Sequence, residues 1–260
     1  MTDASPARSV ATIERAADVL FLLSRSEGTL GVTEIARQLD ISKAVVHRIL
    51  TSLRERDLVA TDRQTRRYSL GPAVLELAAA YRSQLGVRVL ALESMRELSE
   101  STNETATMSV RHGFERIYID QVTPTREVKM IVQLGASFPL HAGSSSKAFL
   151  AWIPEAEREE YINERPLSAL TDETITDPVE LRRELDRIRQ QGFAVSLGER
   201  QIGAGSVAAP VLGESGEPVA VIGVCGPLER FRSEIAGIAA QLVEQTRQLS
   251  GRLGAAESAS

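Results

Sequence analysis

The 260-residue chain predicts an α+β protein: a winged helix-turn-helix joined by a linker helix to a domain built on one antiparallel sheet. Three observations carry that expectation. Residues 9–71 hold successive helix-period stretches and then a short polar hairpin. From about residue 104 the pattern changes to short, partly alternating strands. Strands at both ends of that second region enclose helical stretches. The length allows two domains, each with its own core.

Composition excludes several classes. Hydrophobic residues make up 43% and charged ones 25%, too apolar for disorder and ordinary for a soluble globular protein. No apolar run approaches the ~20 residues of a membrane helix. The opening "MTDASPARSVATIERAADVL" lacks a charged-then-apolar signal segment, and Asp18 interrupts its best apolar stretch. One cysteine, Cys225, cannot form an internal disulfide and gives no metal framework. The expectation is a cytoplasmic protein with no membrane partner, no metal and no cofactor.

The elements follow in order. "SVATIERAADVLFLLSRSEG" places Val10, Ile13, Ala17, Leu20 and Leu23 on a helical stripe that stops at Gly28. Thr33 is expected to cap the short helix "TEIARQLD". Asp40 and Ile41 make a tight connection, and Ser42 caps the longer helix "SKAVVHRILTSLRERD". Val46, Ile49, Leu50 and Leu53 form its buried stripe, which turns Lys43, Ala44, His47, Arg48 and Arg54 elsewhere. "LVATDRQTRRYSL" then reads as strand, polar turn, strand: a wing behind a recognition helix.

Charge supports that reading. Residues 37–67 carry eight basic residues (Arg37, Lys43, Arg48, Arg54, Arg56, Arg63, Arg66, Arg67) against Asp40, Glu55, Asp57 and Asp62. That is +4 within a chain of net −5, so the remainder sums to −9. The candidate DNA contacts are Thr33 and Ser42 at the helix starts, then Lys43, Ala44, Val45, His47, Arg48 and Arg54. Arg63, Arg66 and Arg67 on the hairpin would reach phosphates or the minor groove.

The stretch from "SVATIERAADVLFLLS" through "VTEIARQLDISKAVVHRILTSLRERDLVATDRQTRRYSLGPAVLELA" resembles the DNA-binding domain of IclR-family bacterial transcription regulators. "HRIL" and "YSLGP" are its most specific landmarks. "AGSSSKAFLA", "IRQQGFAVS" and "VAAPVLGESGEPVAVIGVCGP" match that family's effector domain in order, so the resemblance covers roughly residues 9–253. One departure is Ala44-Val45, where the family often has Ser-Thr. Two hydroxyls are missing, which implies a different operator preference.

The second half follows. "PAVLELAAAYRSQL" begins with a proline suited to a helix's first turn and is expected to end at Gly86; the family uses this linker helix (72–86) to connect domains and pair subunits. Strands are expected at "ETATMSVRHG", "ERIYIDQV", "VKMIVQLG", "FAVSL", "GSVAAPVLG" and "PVAVIGVCG", with a terminal helix over "FRSEIAGIAAQLVEQTRQLSGRL" and a frayed tail at 254–260. The resemblance implies a GAF/PAS-like sensor domain over 87–253.

"HAGSSSKAF" raises the question of chemistry. Ser144-x-x-Lys147 as a catalytic dyad would need S-D-N and K-T-G partners, which are missing. "GAGSVA" matches a dinucleotide turn only superficially, because Pro210 follows in a strand-like stretch. The remaining reading is anion capture by the backbone of Ser144, Ser145 and Ser146 at a helix start near Ser146. The resemblance implies an effector pocket with Ser196, Ser206, Gly223 and Cys225 on the opposite wall. The positions that are acidic and serine in the glyoxylate- and pyruvate-responsive member are Ser196 and Gly223 here, so a less polar pocket, near Met108, Ile131 and Phe138, is expected to take a larger or aromatic acid.

These readings converge on a ligand-responsive transcription regulator, a repressor with no catalytic residues. Its partners are a double-stranded operator, a small organic acid, and its own copies in a homodimer or dimer of dimers. Two alternatives stay open: a constitutive DNA-binding protein whose C-terminal domain only oligomerises, and an enzyme acting on a small acid.

Overall fold

A computed structural model describes residues 6–84 and 86–257, and the chain divides after Gln84 into two compact units. The first unit contains helices α1 (Pro6–Arg25), α2 (Val32–Gln38) and α3 (Lys43–Arg54), a hairpin of β1 (Val59–Thr61) and β2 (Tyr68–Leu70), and α4 (Ala73–Gln84). Val19, Leu23, Ile35, Val46, Ile49, Leu50 and Tyr68 form its core, so the expected stripe of α3 faces inward; on α1 the stripe is rotated, with Val19, Leu20 and Leu23 inward and Ile13 and Ala17 exposed. Leu30 exchanges both backbone hydrogen bonds with Tyr68 and extends the hairpin by one bridge.

Three local expectations change. Thr33 does not cap α2: Gly31 is the N-cap, and the Glu34 carboxylate accepts its N–H at 2.7 Å, leaving Thr33 exposed in the first turn. A glutamate three residues past the cap takes the orphan N–H, so no hydroxyl is needed there. Gly86 does not end the linker helix but opens α5 (Gly86–Thr102); Leu85 lies outside the described residues. The last helix, α10 (Ile235–Glu257), runs past the expected start of the tail, and 258–260 lie outside the described residues.

The second unit, after α5, holds β3 (Thr105–His112), β4 (Glu115–Val122), β5 (Ser137–Pro139), α6 (Ser144–Trp152), α7 (Glu155–Glu164) and α8 (Pro178–Gln191). It continues through β6 (Ala194–Leu197), β7 (Ala204–Leu212), β8 (Pro218–Pro227) and the short α9 (Leu228–Phe231) to α10. The strands form one antiparallel sheet in the order β5-β4-β3-β8-β7-β6. Successive strand residues face opposite sides. Val207, Ile222 and Val224 therefore join Met95, Leu98 and Leu242 in a core under α5 and α10. Ala208 and Val221 face the other way, into the core of α6, α7 and α8.

The strand expected over 128–135 is not one. That segment is an irregular strap, and the edge strand is β5. Side chains replace the ladder: the Gln121 amide donates to the Val132 carbonyl (2.9 Å) and accepts its N–H (3.0 Å), while Thr105 donates to the Met130 carbonyl (2.6 Å). Val128 and Ile131 point into solvent.

Candidate functional site

The first unit presents one basic face. Because α3 spends Val46, Ile49, Leu50 and Leu53 on the core, Lys43, Ala44, His47, Arg48 and Arg54 are exposed. Ser42 is exposed and caps the helix, accepting the Val45 N–H at 3.4 Å; Val45 itself is half-buried against the core. At the wing tip Asp62 accepts the N–H groups of Gln64 (2.9 Å) and Thr65 (2.7 Å) and the Thr65 hydroxyl, which hold its carboxyl below the usual range. This turn displays Arg63 and Arg66 outward. A groove of about 860 Å³ lies between the start of α2, α3 and the hairpin, with Thr33, His47, Arg54, Arg63 and Arg66 on its walls.

Arg67 also lines this groove, but it has partners within the first unit. Its guanidinium pairs with Glu34 at 2.7 Å and donates to the Thr29 carbonyl at 2.6 Å. The Gly31 N–H and Arg67 together hold Glu34 below the usual carboxylate range. Arg67 thus ties the wing to the start of α2.

The second unit builds a pocket where α6 meets the sheet. α6 begins at Ser144, two residues earlier than expected, because Gly143 (φ +89°) turns the chain into it. The floor is a register-matched row of Ser196, Ser206 and Cys225, which continues across the sheet to Thr105. Ser144 donates to the Ser206 hydroxyl (2.7 Å). Ser145 lines the pocket, whereas Ser146 lies behind it. Gly223 is packed beneath: a β-carbon there would sit 3.1 Å from the hydroxyls of Ser145 and Thr107, so its smallness lets α6 approach the sheet. Cys225 is a wall, and desolvation pushes its thiol up to about 12, far from a thiolate nucleophile.

The decisive groups are cations. Arg116, 1% exposed, donates from Nε to Ser146 Oγ (2.8 Å) and from Nη2 to the Tyr118 hydroxyl (3.1 Å). Its guanidinium lies 4.1 Å from the Tyr118 ring centroid and 4.9 Å from that of Phe138. Arg200 lies 4.7 Å from the same Phe138 centroid. Burial lowers the Arg116 pKa from its ordinary value, yet a guanidinium stays charged in proteins. The cavity itself is about 20 Å³, room for about one water.

Lys147 has a different task from a catalytic base. Its ammonium contacts Glu184 (2.8 Å) and Glu199 (2.6 Å), and Glu199 also accepts the Gly143 N–H (3.2 Å). With Ser144 bonded to Ser206, the Ser-x-x-Lys spacing forms no dyad. Ala204–Leu212 is a strand, so the dinucleotide-like string opens no helix. Among the described residues no His/Cys/Asp/Glu group could hold a metal ion, and no helix is long and apolar enough to cross a membrane.

Residues 12–63 match the IclR helix-turn-helix domain, and residues 79–251 match the family described as bacterial transcriptional regulator IclR C-terminal. The chain belongs to the IclR family. It is 32% identical to the HTH-type transcriptional regulator BhcR of Paracoccus denitrificans, over 93% of this chain and 86% of that one. The transcriptional repressor IclR of Escherichia coli is 27% identical over 86% and 83%. An IclR regulator from Alicyclobacillus acidocaldarius superposes with a TM-score of 0.85 at 32% identity, over 93% of this chain and 98% of that one. An IclR homologue from Microbacterium hydrocarbonoxydans, solved with 4-hydroxybenzoate, shares the fold (TM-score 0.75, 22% identity, 91% and 99% covered). This IclR protein is therefore a DNA-binding transcriptional regulator, in a family of regulators and not of enzymes.

Of the apolar residues expected near the pocket of this IclR chain, Phe138 is there, beside Arg116 and Arg200, and the other two are not. Met108 faces the opposite core because it alternates with Thr107, Ile131 is exposed on the strap, and Met130 lines the pocket instead. Sequence reading missed Arg116, Tyr118, Arg200 and Gln201. The available signal was the period of β4, which puts Arg116 on the same side as Tyr118.

Proposed function

We propose that this chain is a ligand-responsive repressor that acts in the cytoplasm as a dimer or dimer of dimers. It grips a pseudo-palindromic operator with α3 and the wing and senses a small organic acid at the start of α6. Paired subunits favour a symmetric site. The repressor assignment takes support from the E. coli relative, which is named for repression.

The observation that carries the DNA reading is the exposed side of α3, with Lys43, His47, Arg48 and Arg54 displayed beside Arg63 and Arg66. The acid reading rests on Arg116, a buried cation with hydroxyl partners and, among the described residues, no carboxylate partner. Burying an uncompensated charge is costly, so a site built this way favours an anion. The first-turn N–H groups of Ser144, Ser145 and Ser146 add donors and the positive end of the helix dipole. An acid bound by a relative of the same fold is consistent with this.

The test is binding to DNA fragments from around the protein's own gene across a salt series, with Arg48→Ala, Arg63→Ala beside the parent. Sequence-selective binding that the double variant weakens at least tenfold, with a salt slope shallower by about two, is expected if each arginine neutralises a phosphate. Binding no better than to random DNA, with an empty genome-wide fragment selection, would sink the operator reading. Unchanged operator binding across a panel of acids would favour a constitutive binder.

A further inference from the structure

We infer that the effector pocket is built for an acid with two anionic groups, the deeper one held by Arg116 and the outer one by Arg200; this rests on the effector reading above. Charge balance in the pocket points there. Two guanidiniums lie 4.9 and 4.7 Å from the centroid of one Phe138 ring, which keeps them within about 10 Å of each other, about one screening length in 0.1 M salt. The start of α6 adds the positive end of a helix dipole beside them. Arg200 also packs at that start: a β-carbon on Gly143 would meet the Arg200 Cβ at 3.5 Å.

The neighbouring acids are already committed. Glu199, next in sequence to Arg200, faces Lys147 and the Gly143 N–H. Glu104, beside the Gly226 end of β8, is paired with Arg230 and Arg126. Among the described residues no carboxylate pairs with Arg116 or Arg200. A monocarboxylate cancels one of these charges and leaves the other cation uncompensated; a second anionic group completes the balance. Phe138 and Tyr118, in edge contact at 5.8 Å, give the acid's carbon frame a surface between the cations.

The two cations also differ in setting. Arg116 is on β4, between β3 and β5, and fixed by three hydroxyls, whereas Arg200 sits on the turn between β6 and β7 and is only half-buried. A cavity of about 20 Å³ admits no acid until a wall moves, and the turn carrying Arg200 and Gln201 is one of those walls. Closing that turn on a second anionic group makes Arg200 the residue that selects dianions.

The experiment is titration calorimetry of the full-length protein with two matched pairs, benzoate against benzene-1,3-dicarboxylate and butyrate against succinate. At least one dicarboxylate is expected to bind tenfold or more tighter than its monocarboxylate partner. Arg200→Gln, which keeps the stem that packs on Gly143, is expected to erase that preference while leaving the monocarboxylate within threefold. Equal affinity within both pairs, no binding of any of the four, or an equal loss for both members in Arg200→Gln overturns the inference. The same preparations are assayed for operator binding. Retained operator binding with no dianion preference defeats this inference alone; a clear preference with no selective DNA binding supports it and defeats the regulator reading of how the pocket is used.

Discussion

Neighbouring residues of one type take different tasks here, and only the packing separates them. Arg63, Arg66 and Arg67 read alike in sequence, but Arg67 is bonded to Glu34 and Thr29 while the other two are exposed at the wing tip. Arg116 was invisible for the opposite reason: a charge in a short strand reads as solvent-facing, and its burial depends on which side β5 and α6 cover. Serines 144–146 were legible because a small-residue run ahead of an apolar stretch marks a helix start on its own. Gly71 shows what a single β-carbon would do. It would lie 2.1 Å from the Asp57 carbonyl oxygen and 3.0 Å from the Val59 nitrogen, both rigid backbone. Gly71→Ala is therefore expected to destabilise the first unit by about 3 kcal/mol or more, at or beyond the upper end of ordinary overpacking. Urea denaturation of the variant checks this; a loss under about 1 kcal/mol would show that the backbone relaxes.

At the scale of elements, helices with an apolar stripe and paired strands were legible, and the strap was not. Val128, Met130 and Val132 alternate like a strand, but their backbone bonds go to the side chains of Thr105, Gln121 and Arg230. No local pattern encodes such partners. The entrance to α6 depends on a similar long-range lock. His141 Nε2 donates to the Ser168 carbonyl at 3.0 Å, which leaves Nδ1 to accept the Tyr161 hydroxyl proton at 2.8 Å. That pattern requires neutral imidazole, and burial lowers the His141 pKa below its ordinary 6.5. The unfolded chain therefore binds a proton first as pH falls. Stability from this group is complete above about pH 6.5 and is lost as pH drops from there through the lower folded value. Thermal unfolding between pH 7.5 and 5 should show the second unit weakening on acidification, with His141→Gln flattening that dependence. An identical slope in the variant would assign the effect to other groups. Burial also raises the Tyr161 hydroxyl to about 12, so it stays protonated as a donor throughout this range.

On the scale of the whole molecule, the sequence announces two domains, and the structure gives each compact unit its own core. The cluster around Ile35, Leu50 and Tyr68 shares no residue with those built on the sheet. What could not be read ahead is the pocket as a unit, because its cations come from β4 and from the β6–β7 turn, far apart in the chain, and only the strand order brings them to α6. Separate cores predict separate unfolding. Scanning calorimetry should resolve two transitions, and Gly71→Ala should lower only the one belonging to the first unit. The acid proposed above would act on the other: at a hundred times its dissociation constant it would add about 2.7 kcal/mol. That should raise the second unit's transition by roughly 5–11 °C for a domain of this size. Operator DNA should instead move the transition that Gly71→Ala marks. A single transition shifted as a whole by Gly71→Ala would mean that the two cores unfold as one, and an acid signal would then reach the DNA-binding unit through shared stability. Two independently shifted transitions would point to the proposed pairing of subunits as the carrier, since a ligand that stabilises one unit alone can change operator affinity only by favouring one arrangement over another.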